Sequence, residues 1–181
     1  RALLLMTYLD DAGIDDPALV RGLGSRYLAF VNHAFDRQSR RFRNFLSYAR
    51  HWLEPYGSED SQGRALWALG AIVGRAGDPG RQSLAGDLFH GAIPAVTAFT
   101  SPRAWAYALL GLDEYLKAFQ GDSTAEARRQ ELADRLLGLF QRTSRPDWPG
   151  FEDRATYCNG RLSQALIVSG DRMRRPDMVE I

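Results

Sequence analysis

The chain has 181 residues, 45% of them apolar and 25% charged, with a formal net charge of +1. That is enough for one domain with a substantial core, and the balanced charge excludes the electrostatic footprint of a nucleic-acid binder. No apolar run approaches the roughly 20 residues that span a bilayer, and no signal peptide is visible, so the sequence reads as soluble and cytoplasmic.

In chain order, Ala2 to Ala12 is apolar on nearly every side until Asp10, and Gly13 follows as a stop. Asp16 and Pro17 then supply an N-cap and a first helical residue. The helix they open carries Leu19, Leu23, Tyr27, Phe30 and Ala34 on one stripe, an amphipathic pattern. Its Gly22-Leu23-Gly24-Ser25 lies inside that stripe with no strand ahead of it, so it is not a nucleotide loop. From Arg40 to Leu53 aromatics are dense and the periodicity is an imperfect two, which predicts a short extended or β insertion near residues 42–48.

An apolar helix follows from about Glu59 to Arg75, ended by Gly77-Asp78-Pro79-Gly80. Gln82 to Phe99 is amphipathic with a kink at Pro94. Ser101-Pro102 starts a helix with Trp105, Leu109, Leu112, Leu116 and Phe119 on its stripe, and Gly121-Asp122 turns the chain. Thr124 to Arg142 is strongly amphipathic, with Leu132, Leu136, Leu139 and Phe140 inward. A proline-rich loop around Trp148 leads to a last helix from about Asp153 to Ser169. Both ends read as cut: Arg1-Ala2-Leu3 begins inside a helical pattern without a cap, and Met178 to Ile181 stops as a new apolar pattern begins.

Apolar and amphipathic helices thus alternate. A helix apolar all round must be covered on all sides, whereas an amphipathic one faces water. Residues 1–181 therefore read as one all-α domain, an incomplete α/α toroid with apolar helices inside amphipathic ones. A faint repeat agrees: Arg1-Ala2-Leu3 and Arg64-Ala65-Leu66 precede Gly13 and Gly77 by similar distances. In such hairpins every inner helix runs the same way, which gathers Glu59-Asp60, Ser101-Pro102-Arg103 and Glu152-Asp153 at one end.

Two readings of the acid pairs compete. Carboxylates at helix N-termini are favoured by the macrodipole, by about 0.3–1 kcal/mol each, and that explains either pair alone. Two pairs flanked by aromatics at one end also suit glycoside hydrolysis, in which one acid protonates the leaving oxygen and the other activates water or attacks. On that reading Glu59, Asp60, Glu152 and Asp153 are the catalytic candidates, Tyr48 and Trp148 (with Trp52) offer faces to sugar rings, and Arg64 and Arg161 pair with the acids. Trp67 and Trp105 read as core. Cys158 is the only cysteine, and His33, His51 and His90 lack metal-ligand spacing, so neither a metal nor a cofactor is expected. No nucleophile triad can be assembled.

At "FRNFLSYARHWLE", "GSEDSQGRALWALG" and "DWPGFEDRATYCNGRLSQALIVSG" the chain resembles a bacterial family of six-hairpin glycosidase-like α/α barrels, often associated with glycosyltransferases or classed among them. The family carries an acidic "DDNARAL"-type motif, of which Arg1-Ala2-Leu3 would be the tail. Glu59, Asp60, Arg64, Glu152, Asp153 and Asn159 match its polar motifs. Gly150 and Gly160 depart from it, the family having an aromatic and a small residue such as Ala there. The resemblance implies a carbohydrate-active barrel acting on an oligosaccharide or polysaccharide by cleavage or transfer. It leaves open a non-catalytic glycan-binding or scaffolding barrel that serves a partner glycosyltransferase, and a helical interaction domain with no sugar site.

Overall fold

A computed structural model of the chain describes residues 1–14 and 16–181. Among these residues the chain is all-α apart from two strands of two residues each. Caps place most of the turns. Helix α1 (Ala2–Ala12) ends at Gly13, whose left-handed backbone (φ 64°) lets the amides of Gly13 and Ile14 reach back to Asp10 and Leu9. Helix α2 (Pro17–Ala34) starts under the Asp16 carboxylate, which accepts from the amides of Ala18 and Leu19. Strands β1 (Phe35–Asp36) and β2 (Arg41–Phe42) pair antiparallel, and a loop leads to α3 (Glu59–Arg75), capped by Ser58. Helix α4 (Pro79–Ala92) continues into a 3-10 turn at Ile93–Ala98. Then come α5 (Pro102–Ala118), α6 (Ser123–Thr143), α7 (Gly160–Met173) and the short α8 (Pro176–Val179).

Helices α3 and α5 are the heart of the packing. Leu66, Leu69, Leu109 and Leu112 are almost wholly buried, each worth about 1.5–3 kcal/mol of apolar burial. The two backbones touch through small residues. A Cβ on Gly63 would meet Ala104, one on Gly70 would meet Gly111 and one on Gly74 would meet Glu114. These pairs advance together along both helices, so α3 and α5 run parallel. Helices α1 and α7 flank them, α1 against α3 and α7 against α5, while α2, α4 and α6 each pack against the helix before them. At the C-terminal end Arg75 of α3 binds Asp11 of α1 and Glu114 of α5, each at 2.7 Å, and Arg172 of α7 reaches Asp113 of α5 at 3.1 Å. The four apolar helices therefore end together, and their N-termini share the opposite end.

Several boundaries differ from the sequence reading, each for a local reason. Gly77-Asp78-Pro79-Gly80 starts α4 as well as ending α3, because Asp78 accepts from the amide of Arg81 and Pro79 fits the first turn. The last long helix begins at Gly160, not Asp153. The Asn159 side chain accepts from the Thr156 amide and Cys158 is left-handed (φ 57°), and both oppose a helix through that stretch. The helix then runs past Ser169 to Met173 and stops at left-handed Arg174. The extended insertion is shorter than residues 42–48: beyond Phe42 only the Leu46–Trp52 bridge continues it. There the Glu54 carboxylate takes the amides of Asn44 and Phe45, which a longer ladder would need. The inward face of α2 is Val20, Gly24, Leu28 and Ala34, so Leu19 and Phe30 are half exposed.

Candidate functional site

The shared N-terminal end is tied together by arginines. Arg103, the second residue of α5, is 6% exposed and grips Glu152 with both ends of its guanidinium, at 2.8 and 2.6 Å. It also donates to the Tyr157 carbonyl at 2.7 Å, to the Asn159 side chain at 3.2 Å and to Thr156. A cation in the otherwise apolar first half of α5 needs such partners, because an unpaired buried charge is costly. The Arg103 guanidinium in turn holds the Glu152 carboxyl below its ordinary range. Arg103 also lies 4.5 Å from the centre of the Tyr157 ring, whose hydroxyl donates to Asp60 at 3.2 Å. Asp60 accepts from Arg64 at 2.7 Å, one turn along α3. The two acidic motifs are thus joined by one chain: Glu152, Arg103, Tyr157, Asp60, Arg64.

Glu59 stands beside this chain as a cap between helices. Its Oε2 accepts from the amides of Thr100 at 2.8 Å and Ser101 at 2.7 Å, at the start of α5. Ser101 makes no side-chain cap bond of its own, and the α3 carboxylate instead fixes the two amides just ahead of α5. Asp153 is 87% exposed and sits 3.8 Å from Arg145, outside the cluster. Asn159 organises the loop before α7. Trp148 folds back on its own loop: its indole donates to the Glu152 carbonyl at 2.6 Å, and its ring lies where a side chain at Gly150 would be. Arg161 meets no carboxylate within ion-pair range among the described residues; it stacks 4.9 Å over Trp67 and donates to Gln164. Tyr48 is fully exposed on the loop whose Trp52 packs on Phe30 and His33 of α2.

Arg64 joins this network to a cleft of about 280 Å³. Leu3 of α1, Tyr27, Phe30 and Val31 of α2, Phe42 of β2, and Ala65 and Ala68 of α3 form its apolar walls; Arg43, Asn44, Ser61 and Arg64 are among the polar groups at them. None of Glu59, Asp60, Glu152 and Asp153 lines it. On the other side of Arg64 the guanidinium donates to Tyr107 and lies 3.8 Å from the Cys158 sulfur. The Tyr107 hydroxyl, and then the Arg64 charge, hold the Cys158 thiol below its ordinary pKa, while burial raises that of Tyr107. Among the described residues no three His, Cys, Asp or Glu side chains form a set able to hold a metal ion. No helix described is long and apolar enough to cross a membrane.

Sequence reasoning missed Arg103, Tyr107, Tyr157 and Cys158 as partners, and missed Tyr27, Phe30, Asn44 and Ser61 as cleft walls. The signal for Arg103 was present: it is the only charge in the first ten residues of α5, a stretch apolar on every side. No protein family, curated protein or solved structure compared with this chain matches it.

Proposed function

We propose that the chain is part of an α/α toroid whose N-terminal end binds an oligosaccharide or polysaccharide, as a recognition module serving a partner glycosyltransferase. The observation that carries this reading is the division of labour at that end. The carboxylates are held by arginines and backbone amides, and the open cleft beside them offers aromatic faces and planar polar groups instead. Tyr27 and Phe30 suit the apolar faces of sugar rings, and Asn44, Ser61 and Arg64 suit their hydroxyls. Glycosidic cleavage is the second reading, and Asp60 is what favours it: its carboxylate is 31% exposed and bonded to the Tyr157 hydroxyl. A general acid would still need a second carboxylate facing the same substrate.

Calorimetric titration with a glycan panel tests the proposal. Binding without release of reducing ends, weakened about tenfold or more by Tyr27→Ala with Phe30→Ala, is expected. Absence of binding across the panel rejects it. Turnover that is lost in Asp60→Asn transfers the assignment to cleavage.

A further inference from the structure

The cleft has a sign. Arg1, Arg43 and Arg64 all stand on its walls, and among the described residues no carboxylate does. The acids that balance two of these cations lie off the cleft: Asp36 meets Arg43 at 3.2 Å, and Asp60 meets Arg64 at 2.7 Å. Each ion pair is therefore oriented, cation toward the cavity and anion away from it. The opposite end of the bundle differs, because there Asp10 takes Arg21 and Arg81, and Asp11 with Glu114 takes Arg75, in a groove whose own walls carry both signs.

Arg43 uses one terminal nitrogen on Asp36, while Arg64 spends Nε on Asp60 and one terminal nitrogen on Tyr107 and Cys158. Among the described residues, Arg43 thus retains Nε and a terminal nitrogen as free donors, and Arg64 retains its other terminal nitrogen. The apolar walls formed by Tyr27, Phe30, Val31 and Ala68 exclude part of the solvent around these donors, which strengthens their attraction for an anion relative to open water. A guanidinium can donate to a neutral sugar hydroxyl, but a carboxylate answers its charge as well and makes the stronger, charge-assisted bond.

We infer that the ligand of this cleft is an acidic saccharide of the uronic-acid class, its carboxylate taken by the guanidiniums of Arg43 and Arg64. The inference rests on the glycan-binding reading above and adds the charge of the sugar. Asn44 and Ser61 then serve the ring hydroxyls, and Tyr27 and Phe30 the ring face.

The test titrates the full chain with trimers of galacturonate, glucuronate and mannuronate, and with the same trimers after their carboxyls are reduced to alcohols. At least one acidic trimer should bind about tenfold or more tightly than its reduced form. That preference should vanish in Arg43→Gln, a half-buried surface position, and shrink as NaCl is raised to about 0.5 M. The ligand-side comparison stands even if the variant folds poorly. Acetate, supplied alone, should compete only weakly, which separates recognition of a sugar from capture of any carboxylate. Reduced trimers that bind as well as acidic ones, a preference untouched by Arg43→Gln, or acetate competing as well as the trimers would overturn the inference and leave the glycan reading in place. If no trimer of either set binds but neutral glycans do, the inference again fails alone. Silence from the whole panel fails both.

Discussion

A methyl group added at Gly70 probes the contact that sets the whole N-terminal end. Its Cβ would lie 2.1 Å from the Gly111 carbonyl oxygen and 2.8 Å from the carbonyl carbon. Ordinary contact begins near 3.4 Å, so α3 and α5 would have to part by more than an ångström, and the obstacle is backbone that cannot rotate aside. Overpacking of this kind costs about 1–3 kcal/mol, here at the upper end. Alanine's better helix propensity returns about 1 kcal/mol. The net loss for Gly70→Ala is about 2 kcal/mol, or a fall of about 4–8 °C in Tm for a chain of this size. Urea unfolding followed by circular dichroism measures it. Gly86→Ala is the control: Gly86 lies in α4 with nothing within 4 Å of its added Cβ, so that variant should gain up to about 1 kcal/mol. A Gly70→Ala protein as stable as the parent, or indistinguishable from Gly86→Ala, would refute the close parallel packing of α3 and α5.

Glu59→Ala strips the acceptor from the Thr100 and Ser101 amides and should cost about 1–2 kcal/mol in the same urea assay, the range of a lost N-cap. Glu152 makes stability acid-sensitive. Its folded pKa lies below the ordinary 4.5, so its contribution is complete above that pH and disappears as pH falls through the lowered value. A Glu152→Gln variant should therefore be less stable at neutral pH and show a shallower loss on acidification, read from Tm against pH. Cys158 should react with iodoacetamide near neutral pH faster than a free thiol, and Tyr107→Phe should slow it, since that hydroxyl is the first cause of the lowered pKa. Mass spectrometry of the alkylated protein follows both rates.

Much of the bundle was legible because it rests on short-range rules. Asp16-Pro17 and Ser101-Pro102 mark helix starts by chemistry that acts within a turn, and the all-round apolar character of "RALWALG" and "AYALLGL" requires burial on every side. What escaped depends on contacts far apart in sequence. Nothing near Glu59 says that its carboxylate caps a helix beginning at Pro102, and nothing near Arg103 says that Glu152 will arrive to grip it. The α2 stripe misled for a related reason. It ran through Leu19, Leu23, Tyr27, Phe30 and Ala34, but of these only Ala34 is buried; the core takes Val20, Gly24 and Leu28 instead, which leaves Tyr27 and Phe30 to wall the cleft. Trp148 looked like an exposed platform because it sits between prolines, yet its indole nitrogen needs a partner and finds one at the Glu152 carbonyl.

Everything proposed for this chain turns on recognition of a glycan at the cleft by Tyr27, Phe30, Arg43, Asn44, Ser61 and Arg64 without hydrolysis. An NMR titration of the isotope-labelled chain with an acidic and neutral glycan panel reads both halves at once, since protein shifts map the site and ligand signals report its integrity. Saturable shifts concentrated on those six residues are expected, with the glycan intact at the end. Shifts absent for every glycan, shifts centred on Glu59, Glu152 and Asp153, or a ligand spectrum showing new reducing ends would contradict glycan recognition without cleavage at this cleft.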